Sequence, residues 1–255
     1  MYQEFANIYD EFMQTIPYSD WADYVETLWK HHGLKPSLVL DLGCGTGSLT
    51  TELCKRGYDM IGADASFEML TIAREKALQE GLQDKILYLL QDMREFELYG
   101  TVQSIICTCD SLNYLLEEDD LAEVFRLAEN YLEPPGLFMF DMNTEYKYEK
   151  VLGDNVFAET SDDAAFIWEN SYYPEEKINE YQVTFFEATD RKNHYERFEE
   201  THLQKAYSID TVKRLLEEAH FTVEGIYDAF TLNPPTETTE RVTFVARETR
   251  PKRTE

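Results

Sequence analysis

Short apolar runs recur along the first 145 residues, and most of them end in an acid or a cysteine. They are Leu38 to Leu42, Tyr58 to Asp64, Lys85 to Leu90, Val102 to Cys107 and Leu137 to Asp141. Runs of this length bounded by turn residues read as buried strands. Between them lie stretches with helical spacing, from Ser48 to the stop at Gly57, from Phe67 to Gln79, and from Asp119 to Tyr131. Ser66 stands where an N-cap is needed, and Gly57 where a helix stops in the left-handed region. An amphipathic run from Ser19 to His31 precedes the first strand, with Trp21, Tyr24, Val25, Leu28 and Trp29 on its apolar face. Strand alternating with helix predicts an α/β protein with a mostly parallel sheet and helices on both faces.

Residues 145–206 break that pattern. Phe166 to Tyr173, Ile178 to Glu187 and Tyr195 to Tyr207 read as three antiparallel strands, with turns at Pro174-Glu175-Glu176 and Asp190-Arg191-Lys192-Asn193. Tyr181, Val183 and Phe185 alternate with polar neighbours, so this layer buries one face. A helix capped by Ser208, a strand from Phe221 to Phe230 and a last strand from Arg241 to Arg247 restore the earlier pattern. The chain therefore divides into an N-terminal helical cap (1–36), a core (37–143 and 207–248) and an inserted β layer (144–206).

Composition narrows the setting. Lys and Arg total 23 against 50 Asp and Glu, a formal charge of −27. Such a field repels polyphosphate, which argues against binding bulk RNA or DNA, and it attracts cations. No run approaches the roughly 20 apolar residues of a membrane helix, and the N-terminus lacks a basic leader. Cysteines at 44, 54, 107 and 109 contain no C-x-x-C pair, so no metal site or disulfide framework is expected. A cytoplasmic location follows from these readings.

The chemistry concentrates at Leu38-Val39-Leu40-Asp41-Leu42-Gly43-Cys44-Gly45-Thr46-Gly47. A strand running into alternating glycines, with Ser48 opening a helix, leaves the backbone bare and aims helix N–H groups at a ligand. A dinucleotide fingerprint would need its third glycine at position 48; here it stands at 47. Asp41, two residues ahead of Gly43, suits a ligand carrying an ammonium better than a pyrophosphate. Asp64 lies 23 residues after Asp41, near the roughly 20-residue offset at which a second-strand acid meets ribose hydroxyls.

This pattern resembles motif I of the class I S-adenosylmethionine (SAM)-dependent methyltransferases. The resemblance covers most of the chain, and its specificity lies between 38 and 114. It implies a seven-stranded Rossmann-like sheet, a helical N-terminal cap, a β lid and SAM as cofactor. It sets Asp41, Gly43, Cys44, Gly45, Thr46, Gly47, Asp64, Ala65 and Met69 against the cofactor, with Gln91, Asp92 and Met93 at the adenine and Cys109 after the fourth strand. Tyr9-Asp10 resembles a Tyr-Asp pair that relatives hold near the methyl group. Tyr18, Asp110, Asn113, Asn143 and His202 are further positioning candidates, with His202 the histidine considered as a base. Cys109-Asp110-Ser111-Leu112 stands where nucleic-acid and glutamine amino-methyltransferases carry Asn-Pro-Pro-Tyr. The lid resembles that of enzymes acting on amines, sugars or glycine-like acids, so the expected acceptor is a small polar molecule, methylated at nitrogen rather than oxygen. The alternatives are an RNA or protein methyltransferase and a SAM-binding protein without transfer activity. The β layer reads alternatively as a homodimer surface.

Overall fold

The structure, a computed structural model, describes residues 17–161, 164–189 and 194–249. Tyr9 and Asp10 lie outside the described residues. The described chain begins with helix α1, Tyr18–His31. A strand–helix series follows: β1 Leu38–Leu42, α2 Ser48–Lys55, β2 Asp59–Asp64, α3 Phe67–Gln79, β3 Ile86–Leu90, β4 Val102–Cys107, α4 Glu118–Tyr131 and β5 Leu132–Asn143. Four strands come next, β6 Val156–Thr160, β7 Ala164–Tyr173, β8 Ile178–Ala188 and β9 Tyr195–Lys205. The described chain closes with α5 Ile209–Glu218, β10 Phe221–Asp228 and β11 Arg241–Glu248.

Seven strands form one sheet in the order β10-β11-β5-β4-β1-β2-β3. Strand β11 runs antiparallel to both neighbours, and the other ladders are parallel. Successive residues of each strand point to opposite faces, and the two faces bury different helices. Leu40, Ile105, Phe138 and Phe244 pack with α4 and α5. Val39, Ile106, Met139 and Val245 pack with α1, α2 and α3. The apolar face expected for Ser19 to His31 is the buried face of α1. The Trp29 indole also donates to Ser104 Oγ at 2.9 Å, which ties the helix to β4. Chain order reverses between β1 and β4. A crevice at the carboxyl ends of the strands belongs at that point in an open α/β sheet.

The second sheet is antiparallel, in the order β6-β7-β8-β9. It contains one strand more than the pattern predicts: β6 pairs with β7 yet is mostly exposed, so no apolar alternation marks it. Strand β5 starts at Leu132 instead of Leu137, because the β4 ladder shifts register between Val102–Leu132 and Ser104–Leu137. Pro134 and Pro135, joined by a cis bond, sit in that slip, where the ladder needs no N–H from them. Strand β10 ends at Asp228 rather than Phe230.

Candidate functional site

The carboxyl ends of β1, β2, β4 and β5 open on a cleft of about 1950 Å³, roofed by the inner face of the second sheet. A single small-molecule site typically occupies roughly 300–1,000 Å³, so the cleft has room for two ligands side by side.

The glycine turn forms one wall. Gly43, Gly45 and Gly47 all have positive φ, at 74°, 54° and 69°. A Cβ at Gly47 would lie 2.5 Å from the Tyr88 hydroxyl oxygen and 2.9 Å from Ala73 Cβ, so this position must be glycine for packing. Nothing lies within 4 Å of a Cβ built at Gly45, which leaves that stretch of backbone bare. The Gly45 N–H donates to Asp64 Oδ2 at 2.8 Å, and the Ser66 N–H donates to Oδ1 at 2.8 Å. Burial raises the Asp64 carboxyl's pKa, while these N–H groups oppose the rise. Asp41 is 2% exposed and accepts from Thr50 Oγ1 at 2.5 Å. Its pKa is pushed up to about 7, chiefly by burial.

Every cofactor residue expected from the sequence lines this cleft except Gly47, which is turned into the packing against β3 and α3. Asp92 does so with a partner of its own. Arg94 reaches it through Nε at 3.0 Å and Nη2 at 2.6 Å, which holds its carboxyl below the usual range.

The floor after β4 joins two expected residues, Cys109 and Asp110, to three that linear reading missed, Asp141, Gln204 and Arg241. Cys109 and Asp110 both take left-handed backbone conformations, with φ of 57° and 53°. Their N–H groups donate to the two oxygens of Asp141, at 2.8 and 3.0 Å. Asp141 is 1% exposed, and burial raises its pKa against the pull of Arg241. Arg241 on β11 pairs with Asp141 and, at 2.6 Å, with Asp110 Oδ1. Gln204 of β9 donates to the other Asp110 oxygen at 2.7 Å. The available signal was Asp141 itself, an acid directly after the apolar run Leu137-Phe138-Met139-Phe140.

The positioning candidates separate. Tyr18, Asp110, Asn143 and His202 line the cleft. Asn113 does not: it is fully buried, donating to Lys205 O at 2.8 Å and Asn143 O at 3.3 Å and accepting from the Asn143 N–H at 2.9 Å. Both ends of its amide are thus committed to backbone, and it joins the core to the second sheet. Asn143 Oδ1 accepts from Lys147 Nζ at 3.0 Å. Lys147 lies in a π-helical turn, Lys147–Leu152, and burial lowers its pKa. His202 Nδ1 lies 3.2 Å from the Tyr114 hydroxyl, which lies 2.7 Å from that of Tyr181. Burial lowers the His202 pKa and raises that of Tyr114.

A doubly wound sheet with a glycine turn at its switch point, an acid ending the next strand and a roofed cleft defines a nucleotide-type cofactor site of the Rossmann class. Comparison with known proteins narrows that class. A family model described as a methyltransferase domain matches residues 39–136. A protein of Geobacillus sp. (strain WCH70), named as a methyltransferase, is 39% identical over 249 residues, covering 96% of this chain and 99% of that protein. The crystal structure of a SAM-dependent methyltransferase from Clostridium acetobutylicum ATCC 824 superposes with a TM-score of 0.86 at 31% identity, covering 96% of this chain and 98% of that one. The sugar N-methyltransferase KedS8 of Streptoalloteichus sp. ATCC 53650 shares the fold alone, with a TM-score of 0.76 at 17% identity over 94% of this chain and 93% of that one. The chain belongs to the class I SAM-dependent methyltransferases. It is an enzyme of that family, and SAM is its cofactor.

Proposed function

We propose that the enzyme moves the SAM methyl group to a small polar acceptor, at nitrogen rather than oxygen. The reading is carried by one juxtaposition: bare backbone at Gly45 beside the Asp64 carboxylate, in a cleft large enough for a second molecule under the second sheet.

The residues suit the cofactor. Asp64 keeps lone pairs beyond those facing Gly45 and Ser66, and a carboxylate can take two ribose hydroxyls. Met69, Met93 and Ala65 offer apolar surface for the base, and Asp92 supplies an acceptor for its amino group. Asp41, ahead of the turn, suits an ammonium, whose charge would favour its ionised form. When bound, the sulfonium supplies an already activated methyl group.

What is then asked of this chain is alignment and exclusion of water. The Asp141–Arg241 clamp would hold the Cys109–Asp110 turn rigid beneath the reacting groups. Preference for nitrogen rests on the modest proton chemistry of the cleft. A neutral amine attacks without a base, whereas a hydroxyl or an ammonium must first lose a proton, which an ammonium gives up to water far more readily than a hydroxyl does. His202, neutral through burial, can take a proton only weakly. The sugar N-methyltransferase that shares the fold agrees with this direction. We further propose the division into a cap, a core and a lid spanning residues 144–206.

Calorimetry with SAM, its demethylated product and NAD tests the cofactor site; binding of NAD alone overturns the reading. Turnover of methyl-labelled SAM on matched amine and alcohol panels tests the reaction. Label appearing in alcohols and not amines reverses the nitrogen preference, and binding without label transfer leaves a cofactor-binding protein.

A further inference from the structure

The lid's inner face is built from rings. Phe166 and Trp168 of β7, Tyr181 and Phe185 of β8, and His202 of β9 all line the cleft. They fall at alternate positions along their strands, so the pleat turns them to one side. Register brings them together, with Phe166 opposite Phe185 and Tyr181 opposite His202. The Tyr181 and His202 rings stack at 4.9 Å and 19°, and Trp168 meets Tyr181 at 5.4 Å. From the core side Tyr114 closes the group, its ring 5.8 Å from that of His202. Sheet faces that meet only water are normally polar, so a wall of rings facing a cleft calls for a flat apolar partner.

Charge decides what that partner carries. Among the cleft's arginines, Arg94 is paired with Asp92 and Asp120, and Arg241 with Asp110 and Asp141. Lys147 donates to Asn143, and burial and Arg241 both act against its charge. Asp20, Glu117 and Glu159 add carboxylates along the same walls. A phosphate entering here meets arginines already neutralised, in a chain of formal charge −27. An ammonium meets carboxylates and the faces of aromatic rings, and both attract it.

We infer that the acceptor is an alkylamine tethered to a flat aromatic ring and free of phosphate, its ring laid against Phe166, Trp168 and Tyr181. The inference rests on the methyltransferase reading above and names the substrate class for the same cleft. The bound ammonium first releases one proton to solvent, which frees the nitrogen lone pair; methyl transfer then forms the C–N bond as the C–S bond breaks, sulfur keeps that bond's electron pair, and the product leaves as the methylated ammonium.

The test uses the full chain saturated with S-adenosylhomocysteine. Phenethylamine, uridine diphosphate and glycine serve as probes, read by calorimetry and tryptophan fluorescence. Phenethylamine should bind at least about tenfold more tightly than the other two and perturb the fluorescence. Trp168→Leu and Tyr181→Leu should each weaken it about tenfold, with unchanged circular dichroism and unchanged S-adenosylhomocysteine affinity. If one of the two variants fails to fold, the other carries the comparison, and Phe166→Leu replaces the lost one. The inference is overturned if phenethylamine does not bind, if uridine diphosphate or glycine binds as tightly, or if all folded variants bind it like the parent. Failure of S-adenosylhomocysteine itself to bind strikes the methyltransferase reading, and the two failures are thereby told apart.

Discussion

Asp41 and Asp64 end neighbouring strands and carry the same side chain, yet their surroundings separate them. Asp64 is half-buried and accepts two backbone N–H groups, one of them from the glycine turn. Asp64→Ala should leave the chain folded and weaken SAM roughly tenfold to a hundredfold, since hydrogen bonds to a charged group are worth about 1.5–3 kcal/mol. Unchanged affinity by calorimetry sinks its proposed ribose contact. Asp41 is buried with Thr50 as its hydroxyl donor, and its folded pKa of about 7 lies above the 3.8 of a free carboxyl. The folded state therefore holds the proton more tightly between those values, and stability falls as pH rises from about 4 to 7. At about 1.4 kcal/mol per pK unit, the loss amounts to at most about 4 kcal/mol, complete above pH 7. Asp41→Asn should match the parent in urea unfolding near pH 4 and exceed it near pH 8. Parallel stability curves for the two proteins across that range contradict the assignment.

The joint between sheet and lid is a short list of polar contacts reaching across the chain. Asn113, in the turn after β4, bonds to Asn143 at the end of β5 and to Lys205 at the end of β9. Lys205 Nζ reaches Leu116 O, and the Tyr207 hydroxyl reaches Leu115 O. The segment that floors the cleft is thus bonded on its far side to the last lid strand. Asn113→Ala orphans a buried N–H and two carbonyls, at about 1–3 kcal/mol for each group left without water. Urea unfolding should show a loss of at least about 3 kcal/mol, with β9 losing amide-exchange protection before β1 and β4 do. A neutral substitution, or uniform loss of protection, counts against a joint at this point. The helices and most strands were legible from periodicity because each has a face buried within its own span. Strand β6 was not, since it is exposed and held only by pairing with β7.

For the molecule as a whole, charge is the unusual quantity. With 50 acidic against 23 basic side chains, the folded chain repels itself. Raising salt from about 10 to 150 mM shortens the Debye length from roughly 30 to 8 Å, which should raise the melting temperature by a few degrees. A melting temperature that stays flat or falls would show that local ion pairs outweigh the net field. Among the described residues no helix is long and apolar enough to cross a membrane.

Sequence alone marked out the glycine-turn wall of the cleft, the proposed cofactor end. Leu38–Leu42, the glycine turn, Asp64 and Asp92 are consecutive strand ends, and a parallel sheet brings all strand ends of one direction to one edge. Their chemistry could therefore be read from spacing before any contact was known. Gly47 marks the edge of that method, because a motif shows that glycine is required and not which neighbour requires it; here it is Tyr88 of β3. Tertiary structure decided the opposite wall, the proposed acceptor end. Asp141 meets Arg241 from 100 residues away, and Gln204 meets Asp110 from 94. The ring wall of the lid depends on cross-strand register, which local periodicity leaves open. The proposed cofactor groups are set by local turns and strand order, while the proposed acceptor groups are set by how two sheets face each other.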